Sequence, residues 1–545
     1  MPAASGPKRP VKSRCFAEAN SFGPAYLCGM RTTLHEDFSI HDRLPKPRWP
    51  DLCEAVRQHS ASLDASRRVH VAQTIDAQYR KCGLEPPASA FAHFKEGAPT
   101  ITTGHQLVLA GGPAFFHYKI WTAIRLARQL MQAGEAQAVV PVFWMASEDH
   151  DFDEIAGLPV SPADWGQLRE VPPHRVWQPE DLLRGQVAVG RIAVTDGLRQ
   201  FVETWAEASG WSRAERDAWS AACAEPATVL ADVIRRWVHD LYGREGLLIV
   251  DGDDPALKHT ASHLFEAEWT GNGIHDAVAM DSQALVDLGK TPPVFPRKSM
   301  LFRLEGPAGV RRRLTLEQTT KEPFAGAQHL SPNALLRPLY QEFLLQNVAM
   351  VGGATECAYW FQLPQAFAQH GLRMPLVWLR DSVTLLSSSA DLTLQPFNPR
   401  HPGFRHPEVA EAEWIQNRRS VSSWQPGREA QFRALAELLG EEAAQIDPTL
   451  RAAAHAAAAR MEKEWRKVEQ RMRRAIRRQD AEPMARFVAA HQLVRPNGIP
   501  QERQWNLFQL VHGLSSTAQP ADLFAAYLEA TGQATGPAWL VVTLD

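Results

Sequence analysis

Residues 138–146, AVVPVFWMA, contain no charged side chain and no glycine. Crossing a membrane takes roughly 18–20 apolar residues, so this run is too short and reads as a strand buried on both faces. A parallel sheet with helices packed on either side requires strands of that kind. The preceding sequence agrees. Residues 99–103 are β-branched after an initial proline, Gly104-His105-Gln106 reads as a turn, and Gly111-Gly112-Pro113 opens a helix. Pro113 suits the first helical position, where its missing N–H would have no partner anyway. Phe116, Ile120, Ala123, Ile124, Ala127 and Leu130 then recur at the spacing of one buried helical face. Strand, crossover helix and strand make a right-handed βαβ unit.

Further strands are expected at 247–250, running into Asp251-Gly252-Asp253-Asp254, at 347–351, running into Gly352-Gly353, and at 376–379. Long stretches rich in Trp, Pro and charge, about 155–236 and about 258–332, separate them and read as inserts. The pattern predicts the α/β class, with one doubly wound parallel-sheet core over 21–385 interrupted by two inserted connecting segments. An α-helical arm is expected over 386–515, and a last segment, 516–545, returns to the core. Within the arm, residues 449–482 lack Gly and Pro, and Ala454, Ala458, Met461, Trp465, Val468, Met472 and Ala475 alternate at intervals of four and three. That is a coiled-coil seam on a helix about 50 Å long. Arg466, Lys467, Arg471, Arg473, Arg474, Arg477 and Arg478 flank one end, as a solvated face or as a rim for an anionic partner.

Lysine and arginine number 58 against 61 aspartates and glutamates, a net charge of −3, so nothing globally basic advertises nucleic acid. Six scattered cysteines (Cys15, Cys28, Cys53, Cys82, Cys223, Cys357) form no C-x-x-C pair and read as reduced thiols of a cytoplasmic protein. Residues 1–20 are polar, carry Lys8, Arg9, Lys12 and Arg14, and have no apolar segment. They are expected to be a disordered extension and not a secretory signal.

Ser147-Glu148-Asp149-His150-Asp151-Phe152-Asp153-Glu154 follows the apolar strand directly and holds five carboxylates and an imidazole in eight residues. Like charges this close raise one another's proton affinity unless a cation or hydrogen bonds offset them. Open α/β sheets bind ligands at this edge. Three readings stand: oxygen ligands for Mg2+ carrying a nucleotide, a set that orients a substrate amine and takes its proton, with Asp149 or His150 as base, or a solvated acidic loop. No H-E-x-x-H or Cys/His set points to zinc, and no metal ligand is assigned. Thr103, Gly104, His105 and Gln106, with His117 and Lys119 just beyond, form a second group of candidate ligand contacts near a helix N-terminus. A hydrogen-bonded structural role is the plain alternative for each histidine. Asn333 and Arg337, followed by Gly352-Gly353 and Glu356, form a third. Arg337 is a natural carboxylate or phosphate clamp, and Glu356 suits a helix start, although Gly-Gly alone fits an ordinary β-to-α turn.

The blocks TGHQLVLAGGPAFFHYK (103–119), PVFWMASEDHDFDEI (141–155), SPNALLRPLYQ (331–341), VGGATECAYW (351–360) and PNGIPQER (496–503) together resemble the bacillithiol-biosynthesis cysteine ligase family, BshC. Members commonly have Gln where this chain has His105. The resemblance implies a Rossmann-like core with two connecting inserts and a C-terminal coiled coil that pairs two chains. It also implies a cytoplasmic ligase that adds cysteine to glucosaminyl-malate by amide formation. On that footing Glu148, Asp149, His150, Asp151 and His105 are expected to be catalytic. Thr103, Gly104, Gln106, His117, Lys119, Asn333, Arg337, Gly352, Gly353 and Glu356 are expected to bind substrate or phosphate. A carboxylate is a poor electrophile, which makes ATP or another nucleotide, with Mg2+, a candidate co-substrate. No Walker A motif is present, and the energy source stays open. The rivals are a related adenylate-forming or nucleotidyl-transferring enzyme acting on another small acid, and a non-catalytic sugar- or nucleotide-binding coiled-coil dimer.

Overall fold

The computed structural model describes residues 30–35, 47–59, 63–178, 186–395 and 429–544. The extension expected over 1–20 lies outside them. The chain divides into two compact units, one from residues 1–161, 172–385 and 502–545 and the other from 162–171 and 386–501.

The larger unit runs through β1 (Met30–His35), α1 (Ala65–Lys81), β2 (Thr100–His105), α2 (Phe115–Gln132), β3 (Val140–Met145), α3 (Leu230–Tyr242), β4 (Leu248–Asp251), β5 (Leu301–Glu305), β6 (Val310–Arg313), β7 (Leu330–Pro332), α4 (Arg337–Leu345), β8 (Ala349–Gly352), α5 (Ala354–Trp360), β9 (Leu376–Leu379) and β10 (Ser382–Ser387). Its centre is a five-stranded sheet in the order β9-β8-β2-β3-β4, parallel throughout. Every residue of β3 is buried, as an interior strand of a doubly covered sheet must be. The winding reverses between β2 and β8, and the carboxyl ends of these two strands flank the crevice where such sheets bind ligands. His105, expected in a turn, still belongs to β2, because its backbone remains in register with Met145.

Helix α2 buries more than the single face its periodicity shows. Ala123, Ala127 and Leu130 pack with Ile101 and Val351 in the sheet-side core. On the far side, Trp121 meets Phe524 and Tyr527 at 5.2 Å. The helix is therefore covered from both sides. The first insert ends earlier than 236, since α3 begins at Leu230 and leads into β4 as an ordinary crossover. The second insert carries a three-stranded antiparallel sheet, β6-β5-β7.

In the smaller unit, α6 (Glu429–Ile446) and α7 (Leu450–Gln479) form a helical hairpin, followed by α8 (Ala481–Val494). Asp447 ends the turn between the hairpin helices: its Oδ1 accepts from the Thr449 amide and hydroxyl, both at 2.8 Å. Gly440 gives close approach, since a Cβ there would lie 2.5 Å from the His455 ring. The expected seam is covered only toward its start. Ala458 is buried, whereas Met461, Val468 and Met472 remain 50, 41 and 37 % exposed. Of the basic flank, Arg466 and Lys467 pair locally with Glu462 and Glu464.

The chain re-enters the larger unit at Glu502, ahead of the expected 516, with α9 (Leu507–Leu514), α10 (Pro520–Thr531) and β11 (Trp539–Leu544). Strand β11 completes a second sheet between β1 and β10. The early return follows from burial: Glu502 is an ion-pair partner of Arg380, and both are almost fully enclosed. Among the described residues, no helix is long and apolar enough to cross a membrane, and Cys53, Cys82, Cys223 and Cys357 are free, buried thiols.

Candidate active site

Where β3 ends, the chain turns sharply through Ser147-Glu148-Asp149-His150 beneath the β5–β7 sheet. A strap from the first insert fixes this loop. The Val189 amide donates to the Asp149 carbonyl at 2.7 Å, and the Gly190 amide donates to the Ser147 carbonyl at 2.8 Å. The strap lies so close that a Cβ on Gly190 would be 2.5 Å from that of Ser147.

A cavity of about 370 Å³ opens against this turn, lined by Glu148, Asp149, His150, Phe302, Asn333 and four arginines, Arg297, Arg311, Arg313 and Arg337. Two of the arginines hold Asp149. Arg311 reaches its Oδ1 at 3.2 Å, and Arg337 stands 4.0 Å from its Oδ2. Arg311 also meets His150 Nδ1 at 2.9 Å and donates to the Pro332 carbonyl at 2.7 Å. A guanidinium only donates, so His150 Nδ1 is the acceptor there. Burial alone would push the Asp149 carboxyl up. The His150 backbone amide and the positive fields of Arg311 and Arg337 overcome burial and hold the group well below the usual carboxylate range.

Glu148, its neighbour in sequence, is the opposite case. Its side chain is 1 % exposed, and its Oε2 meets no hydrogen-bond donor. Burial, reinforced by the nearby Asp253 carboxylate, pushes its pKa up to about 7 against the pull of Lys258, Arg337 and Arg311. Asp253 itself is engaged by Arg191 at 2.8 Å and by the fully buried Lys258. Two adjacent carboxyl groups thus differ sharply in proton affinity because Arg311 contacts one directly, whereas the other is fully buried and receives no hydrogen bond on its Oε2.

At the switch point, Lys119 bridges the two strand ends. Its Nζ donates to the Gly104 carbonyl and pairs with Glu356, both at 2.6 Å. Glu356 in turn accepts from the Gly353 amide at 3.3 Å, so the start of α5 already carries a carboxylate. His105 donates from Nδ1 to the Gln106 carbonyl at 2.8 Å. Burial, and then the charge of Lys119, push its pKa down to about 3, which keeps the ring neutral. Arg337 also donates to the Tyr359 hydroxyl at 3.3 Å. It thereby ties the acidic turn to the element that follows β8.

Several expected contacts have local roles instead. His117 lies away from the cavity and is fully buried: its Nδ1 meets the Tyr242 hydroxyl at 2.7 Å among Phe116, Trp237 and Phe508. Thr103 donates to the Val351 carbonyl inside the sheet. Gln106 pairs with Glu154. Asp151 caps the short helix Phe152–Ala156. Asn333 Oδ1 caps the Leu335 and Leu336 amides at 3.0 Å. Gly352 is the buried last residue of β8. The Gly111-Gly112-Pro113 turn is closed rather than open to phosphate, since Asn506 Nδ2 donates to the carbonyls of Ala110 and Gly112 at 2.7 and 2.9 Å.

Arg297, Phe302, Arg311 and Arg313 were not among the residues singled out in the sequence. A signal for two of them existed: Arg311-Arg312-Arg313 in a strand places the first and third on one face. Arg312 indeed points the other way, to Glu305 at 2.6 Å, while Arg311 and Arg313 both stack on Phe302, at 4.0 and 4.4 Å from its centroid.

Comparison with known proteins converges with this geometry. Residues 45–381 match the model of the bacillithiol biosynthesis BshC N-terminal Rossmann-like domain, and residues 419–515 match that of the BshC C-terminal coiled-coil domain. A protein of Cytophaga hutchinsonii is 28 % identical over 77 % of this chain and 80 % of its own length. One of Salinibacter ruber is 29 % identical over 85 and 87 %, and one of Bacillus velezensis is 24 % identical over 90 and 92 %. Each bears a name that assigns it provisionally as the cysteine ligase BshC. With a parallel sheet wound as a Rossmann-like core, a helical hairpin in the place of the coiled coil, and both family models matched in order, this chain belongs to the BshC family of bacillithiol biosynthesis.

Proposed function

We propose that this chain forms the amide bond between the carboxyl group of cysteine and the amino group of glucosaminyl-malate, the cysteine-adding step of bacillithiol biosynthesis, in the cytoplasm. The observation that carries the reading is the mixed lining of the 370 Å³ cavity, in which the carboxyl groups of Glu148 and Asp149 stand among four guanidinium groups. A substrate that carries both an amine and carboxylates matches that mixture. Arg297 and Arg313 have no ion-pair partner among the described residues, so they are free to meet substrate carboxylates. Arg311 and Arg337 are committed to Asp149. A planar guanidinium recognises a carboxylate through paired N–H groups, which suits this task.

Two further parts of the reading have narrower support. The stripe of Met461, Val468 and Met472 on α7 fits pairing of two chains through their helical hairpins. Activation of the cysteine carboxyl calls for a co-substrate such as a nucleoside triphosphate. The closed glycine turn and the carboxylate-filled start of α5 do not favour either as the seat of its phosphates.

The test is complementation. A bacterium that makes glucosaminyl-malate but lacks its own cysteine-adding enzyme should regain bacillithiol when this chain is expressed, as read by thiol profiling. Continued accumulation of glucosaminyl-malate with the chain present would reject the proposal. Purified chain supplied with cysteine, glucosaminyl-malate and each nucleoside triphosphate in turn identifies the co-substrate. Turnover with another acid in place of cysteine would favour the adenylate-forming alternative.

A further inference from the structure

We propose that Glu148, and not Asp149 or His150, is the catalytic residue that takes the proton from the attacking amine. The inference rests on the amide-forming reading above and adds which atom receives the proton.

A primary ammonium group has no lone pair and cannot attack an acyl carbon. In the step proposed, one N–H bond of the ammonium breaks, an O–H bond forms at a Glu148 carboxylate oxygen, and the electron pair stays on nitrogen. The charges balance: an ammonium and a carboxylate become an amine and a carboxylic acid. A group suited to this needs a vacant oxygen inside the cavity and a proton affinity near that of the amine.

Glu148 meets both conditions. It lines the cavity, is 1 % exposed, and its carboxylate accepts no hydrogen bond among the described residues. Charged and titratable groups surround it from several elements: Asp253 and Lys258 beyond β4, Arg311 on β6, and Arg337 and Tyr340 on α4. Their balance, with burial, leaves the carboxyl titrating at about 7. An amine flanked by electron-withdrawing oxygens titrates near the roughly 7.7–8.0 of an α-amino group, so proton transfer between the two is nearly level. Asp149 fails on the second count. Its Oδ1 is engaged by Arg311 and by the His150 amide at 2.8 Å, Arg337 stands 4.0 Å from its Oδ2, and its proton affinity lies far below that of an amine. The Nδ1 of His150 is already taken by Arg311. Asp149 is therefore a positioning residue that keeps Arg311 and Arg337 in place.

The experiment compares wild type with Glu148→Gln, a substitution of equal shape, using two acceptors with cysteine under the conditions that support turnover. Glucosaminyl-malate arrives as an ammonium. Hydroxylamine is already unprotonated at neutral pH and needs no base. The expected result is that E148Q loses amide formation by about 10²–10⁴-fold while retaining cysteinyl hydroxamate formation within a few-fold of wild type, with KM for glucosaminyl-malate little changed. Equal amide formation by wild type and E148Q would overturn the proposal. So would loss of both products together, because Glu148 would then serve folding or acyl activation. A wild type that makes neither product fails the amide-forming reading itself, and the proton assignment falls with it. A pH series read by infrared difference spectroscopy gives a second measure. The protonated-carboxyl band with a midpoint near 7 should lose the Glu148 contribution in E148Q and keep that of Glu342, which burial also pushes up to about 7. An unchanged band would count against the proposal.

Discussion

At the scale of single residues, the Glu148 carboxyl is held away from water in a form that folding does not favour, and this has a measurable sign. Its folded pKa of about 7 lies above the 4.5 of an unperturbed glutamate. Between those two values the unfolded chain releases the proton first, so stability falls as pH climbs from about 4.5 to about 7 and the penalty is constant above. Glu148→Gln should therefore be more stable than wild type at pH 8, by up to about 3 kcal/mol, with the difference vanishing below about pH 4. Chemical denaturation at pH 4 and pH 8 reads this directly, and a pH-independent difference would contradict the burial argument. At the exposed edge of the cavity, Arg313→Ala removes a guanidinium that stacks on Phe302 and has no ion-pair partner among the described residues. It should raise KM for the dicarboxylate substrate about tenfold, the lower end for a charged hydrogen bond, with little change in stability. The acidic half of the site was legible in the sequence, because five carboxylates directly after a fully apolar strand are an unlikely ordinary loop. The basic half was hidden, since Arg311 meets Asp149 across 162 positions of chain and no local pattern records such a pairing. His117 misled for a related reason: a histidine near a glycine turn reads the same whether it faces a ligand or an aromatic pocket.

At the scale of elements, the sheet was the most readable part. Apolar or β-branched runs located all five parallel strands within two residues at each end, because interior strands tolerate little else. The covering of α2 on its second side was not readable, since α10 arrives about 400 residues later. The strap of residues 187–190 was equally silent, as its work is done by backbone amides that any sequence supplies. Gly190 nevertheless makes it testable. Gly190→Ala places a Cβ 2.5 Å from that of Ser147 and 2.9 Å from its carbonyl oxygen, so the strap must move off the acidic turn. An overpacked contact of this kind costs about 1–3 kcal/mol. Turnover should fall further than stability, because the displaced backbone positions Glu148. Thermal denaturation beside a ligation assay separates the two effects, and an active, fully stable variant would show that the strap is dispensable.

At the scale of the whole molecule, one buried carboxylate ties the end of the chain to its core. Asp381 receives Arg125 from α2 at 2.8 and 3.0 Å, the Tyr527 hydroxyl of α10 at 2.5 Å, and the Ala538 amide at 2.8 Å. Both members of the ion pair are sealed from solvent. Asp381→Ala would strand the Arg125 guanidinium and should lower stability by about 3–5 kcal/mol, seen as a shifted denaturation midpoint. A shift under 1 kcal/mol would mean that water enters and replaces the carboxylate. The same network bears on how the protein is made. Ala538 is translated 157 residues after Asp381, and at roughly 5–20 residues per second the ribosome needs about ten to thirty seconds to deliver it. Throughout that interval the nascent polypeptide holds a half-solvated carboxylate and an uncovered face of α2, which makes it a natural client for chaperones until its last strand emerges.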